Sequence, residues 1–426
     1  MNRQASIALL LILAAGAAAF LLARAGLLGP RRHEPTAPPL AGQQPPPPSR
    51  PRPLSVPARD NTPRLVFSTP EPLPNTASAS WPIYRSDAAL SGKAAGALGD
   101  SLRLYWRFQT GEGVKSSPVI ADRRVFIGSD DGNVYALDLA GGKKLWSFAT
   151  QGSVEAPPLV AEGKLYVGSH DEHLYCLDAA DGKECWRYKT GAKIVGSANI
   201  ARSGQNSLVL VGSWDYSLHC VNAADGRKLW TYETENYVNS CPAIMDGQAV
   251  FGGCDGKIHV VSLDKGQAVR KIEAGGYVGA AAALDDKVVY VGTFEKVFLA
   301  ASTAGEVSWS FPREEVFLSS AAVDGRHVLV GCRDKKLYCL DAASGAVLWA
   351  FTARGNVDGS PVICAGKVLV GSDDGRLYMV SLKDGSEIWS YEIGQSISTS
   401  PAVANGNVIV SCDDGSIYAF GPPPRR

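Results

Sequence analysis

Beyond residue 100 the chain alternates short apolar runs with turns rich in Gly and Asp, and it does so on a schedule. Residues 360–391, SPVICAGKVLVGSDDGRLYMVSLKDGSEIWSY, hold one full period: PVI, a CAG turn, KVLVGS, a DDG turn, RLYMVS, an LKDGSE turn and IWSY. Runs of about five residues with this punctuation are strands joined as hairpins. Their apolar positions fall partly in alternation and partly in unbroken groups, which suits strands buried between stacked sheets. No apolar period of 3.6 residues occurs after residue 100, so the pattern predicts an all-β domain.

The period is marked by tryptophan. Trp106, Trp146, Trp186, Trp230, Trp309, Trp349 and Trp389 each follow a short turn, at intervals of 40, 40, 44, 79, 40 and 40. The long gap holds Arg270 at its centre, in GQAVRKIEAG, in register with GKKLWSFATQ around Trp146, so one of eight repeats has lost its Trp. The interval of 44 reflects a longer turn, ARSGQNSL, at 201–208. Four strands per ~40-residue repeat predict an eight-bladed β-propeller of four-stranded antiparallel blades. LYWRFQT at 104–110 has no three strands before it, and SPAVANGNVIVSCDDGSIYAF at 400–420 lacks a Trp strand. Together they complete one blade, which closes the ring and leaves no open sheet edge there. A hydrophobic residue eight positions after each marker (Val114, Val154, Ile194, Val238, Val278, Phe317, Val357, Ile397) recurs in every blade and is assigned to the core.

The chain ahead of the repeats is of another kind. Residues 1–29 contain an uncharged apolar stretch, Ala5 to Ala23, just long enough to span a bilayer. It is expected to act as a signal anchor or transmembrane helix, with a signal peptide cleaved at Ala23-Arg24-Ala25 as the alternative. Arg24, Arg31 and Arg32 follow the stretch, so charge alone does not orient it; the propeller is nonetheless expected on the periplasmic or extracytoplasmic side of the cell membrane. No Cys sits just after the apolar run, so a bacterial lipoprotein attachment site is not expected. Residues 30–75 carry fifteen of the chain's 26 prolines and are expected to be an extended, disordered linker. The propeller is assigned to 76–421 and a short tail to 422–426.

Composition removes several functions. With 42 basic and 42 acidic side chains there is no basic footprint for nucleic acid. Nine Cys occur without CxxC or an adjacent pair. The stretch LYCLDAADGKECW at 174–186 offers Asp178, Asp181 and Glu184 as calcium ligands or Cys176 and Cys185 as a redox pair. Recurrence of its turn elsewhere makes it the outer hairpin of one blade. The slot of Cys176 is filled by Cys220, Cys339, Met379 and Val260 in other blades, as a small hydrophobe requires. Cys185 is expected opposite Cys176, leaving one candidate disulfide in an oxidising compartment. His170 and His173 share a loop with Asp171 and Glu172; a metal site is weighed there against a solvated polar turn, and the turn is preferred. The SDDG turns at 129–132 and 372–375 and CDDG at 412–415 are explained by hairpin geometry.

The repeats YALDLAGGKKLW, YCLDAADGKECW, HCVNAADGRKLW and YCLDAASGAVLW resemble the tryptophan-docking repeat of pyrroloquinoline-quinone-like β-propellers, and WPIYRSDAALSG at 81–92 resembles the lead-in of such propellers. One branch of that superfamily contains quinoprotein dehydrogenases. Another contains non-enzymatic propellers such as the BamB subunit of the outer-membrane β-barrel assembly machine. The dehydrogenases' adjacent Cys pair and long inter-blade insertions have no counterpart here. The expectation is therefore a BamB-like binding scaffold for protein partners in the cell envelope, with no cofactor, metal or catalytic residue assigned. A quinone-dependent dehydrogenase and a ligand-sensing ectodomain are the alternatives. The partner surface is expected on the face that joins the second-to-third strand turns with the blade-to-blade connections. There, three successive repeats carry Trp214, Tyr216, Tyr237, Tyr277 and Phe294, with Glu233, Glu235, Arg313, Glu314 and Glu315 beside them. Packing among neighbouring loops is the competing role, weighed most for Tyr277.

Overall fold

The computed structural model describes residues 80–203 and 206–423. The expected membrane helix, Pro-rich linker and most of the tail lie outside them. Eight sheets follow one another along the chain, each with four antiparallel strands ordered from inside to outside, and the seventh gains Lys93–Ala94 as a parallel fifth strand on its inner edge. In the first blade these are Val119–Ala121, Arg124–Gly128, Asn133–Asp138 and Lys144–Ala149. The last blade takes its inner three strands from Ala402–Ala404, Asn407–Ser411 and Ser416–Gly421, and its outer strand from Arg103–Gln109. Trp106 there opposes Ala419, so the ring closes between the two ends of the repeat region as the sequence predicts. Burial falls outward: the third strand Asn133–Asp138 buries its four central residues, whereas Lys144–Ala149 is exposed or half-exposed throughout.

Two glycine positions explain how neighbouring blades dock. Six of the seven repeat tryptophans, all but Trp389, lie on a left-handed glycine of the next blade's outer turn: a Cβ on Gly226 (φ +70°) would stand 2.6 Å from Trp186 Cε3. The indole N–H then donates to a carbonyl of that turn, Trp106 to Leu139 O at 2.9 Å, Trp230 to Leu263 O at 2.9 Å and Trp349 to Leu382 O at 2.9 Å. Only glycine tolerates both the φ and the contact. At the junction without Trp, the stem of Arg270 lies over Gly305, whose turn is shorter: Ser302 N–H bonds Glu306 O where Asp138 N–H bonds Lys143 O. Closer to the axis, the second strands of blades one to seven carry a Gly at or next to their end because the core residue of the following connection fills the space. A Cβ on Gly128 would lie 2.4 Å from Val154 Cγ1, and Gly168 meets Ile194 in the same way. All eight assigned core positions from Val114 to Ile397 are buried.

Outer strands carry a bulge beside the Trp. In Glu184–Lys189 the register passes from Glu184↔Leu177 to Trp186↔Cys176. This corrects the register expected for Cys185, which sits in the bulge and not opposite Cys176, although the two side chains still interact. Both thiols are free; Cys185 is exposed, whereas Cys176 is buried and burial pushes its thiol up to about 12. Leu145, Leu229, Val269 and Leu348 occupy the same exposed bulge position in other blades. Such a bulge disrupts the outermost ladder and discourages edge-to-edge pairing.

The lead-in has a role that its sequence does not announce. Residues 81–94 run around one mouth of the central channel and bond to every blade. Trp81 exchanges two 2.8 Å bonds with Ile120; Val160, Ile244, Leu284, Val323 and Ile363 donate to the carbonyls of Pro82, Ala88, Ala89, Ser91 and Gly92. Asn199 Nδ2 reaches Ala88 O at 2.9 Å for the third blade. Arg85 is fully buried beneath the channel and reaches the eighth blade, donating to Ser400 Oγ at 2.9 Å and to Ala321 O at 2.8 Å. Burial lowers its pKa to about 10, so it remains a cation at neutral pH. Tyr84 OH lies 3.1 Å from Ser320 Oγ and closes the floor. Because Ile120 immediately precedes the first-to-second strand turn, this strap covers the face of those turns and leaves the opposite face open.

Two measurements test this packing. Trp230→Ala should lower stability by about 3 kcal/mol, and Arg270→Ala by less than about 1 kcal/mol, read from urea midpoints. Under native conditions Cys185 should be the first thiol alkylated by a maleimide, with Cys176 modified only after denaturation, as followed by mass spectrometry.

Candidate functional site: the open mouth of the channel

Each blade gives two elements to the open face, its second-to-third strand turn and the connection that precedes its inner strand. The two are joined by a backbone bond in the same place around the ring. Asp130 N–H donates to Gly113 O, Trp214 to Lys193 O, Cys254 to Tyr237 O, Phe294 to Tyr277 O, Arg333 to Val316 O, Asp373 to Asn356 O and Asp413 to Ser396 O. The shared face expected from the sequence is therefore present.

Within the turn, adjacent residues do different work. The second Asp is structural. Asp131 accepts from Gly111 N–H at 2.8 Å, Asn133 N–H at 2.9 Å and Tyr135 OH at 2.7 Å. Asp374 repeats this with Arg354 N–H, Arg376 N–H and Tyr378 OH at 2.8, 2.9 and 2.8 Å. Asp171 does the same with Gln151, His173 and Tyr175, which assigns the HDEH loop to turn chemistry. In blades three and four a histidine replaces the tyrosine: His219 Nε2 lies 2.9 Å from Asp215 and His259 Nε2 3.0 Å from Asp255. The turn needs one carboxylate, and the second Asp supplies it.

The residue before it is free to vary: Asp130, His170, Trp214, Cys254, Phe294, Arg333, Asp373 and Asp413 from blade one to blade eight. Facing it from the connection is a second variable residue that lines the channel: Lys115, Glu155, Val195, Asn239, Gly279, Leu318, Asp358 and Ser398. Deeper in, the wall becomes small and hydroxylic, with Ser117, Ser197, Ser320, Ser360 and Ser400, and the cavity of about 220 Å³ ends on Tyr84.

These positions divide the mouth into two arcs. Blades three to five supply the apolar arc. Trp214 stacks on Tyr237 with centroids 4.4 Å apart, and Tyr216 lies 5.2 Å from Tyr237. Lys193 Nζ caps the Trp214 ring at 3.7 Å. Tyr216, Tyr277 and Phe294 are 45, 51 and 40% exposed, so these rings are presented and not packed away. Tyr277, the residue weighed most toward packing, is the most exposed of the three. The structure thus joins Trp214, Tyr216 and Tyr237 in one ring cluster and sets Tyr277 beside Phe294 on the next blades.

Blades six to two supply the charged arc. Arg333 grips Asp358 through Nη2 at 2.8 Å and Nε at 3.0 Å. Lys115 Nζ lies 2.8 Å from Glu155 and 3.2 Å from Asp130. His170 Nε2 is 3.4 Å from Glu155, and with Lys115 it holds the Glu155 carboxyl down to about 2. Asp373 and Asp413 are met by neutral donors: Ser396 Oγ and Ser398 Oγ donate to them at 3.0 Å, joined by the Asn356 amide at Asp373 and by Ser396 at Asp413. Burial first, then Asp358 beside Asp373 and Asp130 near Asp413, push both carboxyls above the ordinary range. None of these eight residues belongs to the charged rim expected from the sequence. A signal was present: SDDG carries one more Asp than its turn consumes.

A family model described as outer membrane protein assembly factor BamB matches residues 100–212, 192–310, 255–354 and 295–422. No curated protein sequence matches the chain. Among solved structures, BamB from Moraxella catarrhalis superposes with a TM-score of 0.63 at 16% identity, over 76% of this chain and 99% of that one. The quinohemoprotein alcohol dehydrogenase of Comamonas testosteroni gives 0.68 at 14%, over 82% and 81%. The computationally designed Ika8 protein gives 0.65 at 15%, over 74% and 98%. At such identities these likenesses show the fold and no more.

The division of labour in the turn is open to test. Asp374→Ala should cost about 2 kcal/mol in urea unfolding because it strands three donors. Asp373→Asn should change stability by less than about 0.5 kcal/mol. Equal losses from the two substitutions would contradict the assignment.

Proposed function

The chain belongs to the family of outer membrane protein assembly factor BamB, a pyrroloquinoline-quinone-like β-propeller family, and on that premise we propose that it is a binding scaffold whose open mouth holds protein partners of the cell envelope. The observation that carries this reading is the aromatic group on the one face that the strap leaves open, where Tyr216, Tyr277 and Phe294 are exposed beside the half-buried, stacked Trp214 and Tyr237. Aromatic anchors beside a charged rim have the composition of an interaction hot spot. Anchoring in the membrane through residues 1–29, with the Pro-rich segment as spacer and the propeller on the extracytoplasmic side, belongs to the same proposal. So does a role in envelope or outer-membrane protein assembly.

The residues of the channel do not fit a quinone of the dehydrogenase kind. Cys241 is the one cysteine lining it, the sequence has no adjacent Cys pair, and Asp358 and Glu155 are already engaged by Arg333, Lys115 and His170. Among the described residues no group of three ligating side chains could hold a metal ion.

Photo-crosslinking residues placed at Tyr216 and Tyr277 in the membrane-bound full chain should trap an envelope protein. The same probe at Leu145, on the outer bulge, should not. Trapping confined to Leu145, or none at either face, would end the scaffold reading of the mouth.

A further inference from the structure

The two arcs of the mouth are complementary to different chemistries, and the charged one is incomplete. Five carboxylates, Asp130, Glu155, Asp358, Asp373 and Asp413, share two permanent cations, Lys115 and Arg333. Arg333 is committed to Asp358 in bidentate geometry, and Lys115 is divided between Asp130 and Glu155. Asp373 and Asp413 are left with neutral donors, serine hydroxyls and the Asn356 amide, and Asp130 Oδ1 is buried without a hydrogen-bond partner. Carboxylates crowded in this way favour a further cation and repel an anion. The raised pKa values of Asp373 and Asp413 agree with that deficit.

The apolar arc supplies the second requirement. Trp214 is clamped between Lys193 and Tyr237, so its ring is a fixed wall. Tyr216, Tyr277 and Phe294 project beyond it. The arcs meet where blade two adjoins blade three, at His170 and Trp214, and where blade five adjoins blade six, at Phe294 and Arg333. Asp373 and Asp413, on blades seven and eight, lie four blades from Trp214 and Tyr237, so the two chemistries face each other across the mouth.

We propose that the mouth selects partner segments that span it and carry both a lysine or arginine and aromatic or branched aliphatic side chains, the cation seated against Asp373 and Asp413 and the apolar group against the Trp214–Tyr237 wall on the opposite side. This rests on the protein-binding reading above and specifies the partner's chemistry. The partner's cation supplies the positive charge that the arc lacks, and its apolar group covers rings that otherwise face water. Charge pairing at this rim acts mainly on specificity and association rate, and is therefore sensitive to salt.

The test uses the full-length protein and three fluorescent twelve-residue peptides in anisotropy titrations. One carries alternating Lys and Trp/Leu, one has each Lys replaced by Glu, and one has each Trp/Leu replaced by Ser. The basic apolar peptide should bind at least ten-fold tighter than either relative at low salt. In the Asp373→Asn, Asp413→Asn double variant, its advantage over the acidic peptide should fall below three-fold while thermal stability is unchanged. In Trp214→Ala, its advantage over the Ser peptide should shrink. Equal binding of the Lys and Glu peptides would overturn the charge selection and leave the scaffold reading standing. No binding of any peptide, together with no crosslink from Tyr216 or Tyr277, would sink both. Stabilisation by calcium alone that the double variant abolishes, with no preference among peptides, would replace the proposal by a cation site.

Discussion

Each indole that lies on the next blade's glycine and gives its N–H to that turn's carbonyl is the contact from which the rest of the molecule follows. It joins a flat apolar face to a polar clasp at one point. A blade can therefore meet its neighbour in only one offset. A Trp side chain buries roughly 150–250 Å² when fully covered, which at about 25 cal/mol per Å² amounts to several kcal/mol before entropy. Repeated around the ring, this contact sets the angle between blades, and the angle sets how many blades close. The same offset delivers the core residue of each connection into the glycine notch of the preceding blade. The inner strands are thus held at fixed radius around a channel.

A ring of equal blades has no inherent difference between blind and open ends of its channel. The strap of residues 81–94 creates one, by satisfying inner-strand N–H groups on seven blades or their side chains and sending Arg85 to the eighth. Arg85 sits where a guanidinium is costly, and it is tolerated because Ser400 and Ala321 accept its protons. With one end sealed, any partner that uses the channel must approach the other, where the variable residues are.

On that face the fold spends a constant set of residues on architecture and leaves a variable set exposed. The second turn Asp, the core residue of the connection and the two docking glycines recur because each satisfies a local requirement. The two positions at the mouth have no such requirement. Their distribution, rings on blades three to five and carboxylates on blades six to two, is therefore where this chain differs from a generic propeller.

Much of this was legible in the sequence. Blade number, the closing pair of strands, the lost Trp at Arg270 and the shared face of turns and connections all follow from a period. Their causes are local or lie between neighbouring repeats, and so they return every forty residues or so. The aromatic residues of the mouth could also be named in advance. Tertiary structure alone decided three things. It placed Cys185 in a bulge, because register across a hairpin depends on how the strand beside it twists. It revealed the strap, whose bonds reach eight blades from fourteen residues with no repeat of their own. And it assembled the charged arc, because Lys115 and Asp413 come from the first and last blades and meet only when the ring is closed.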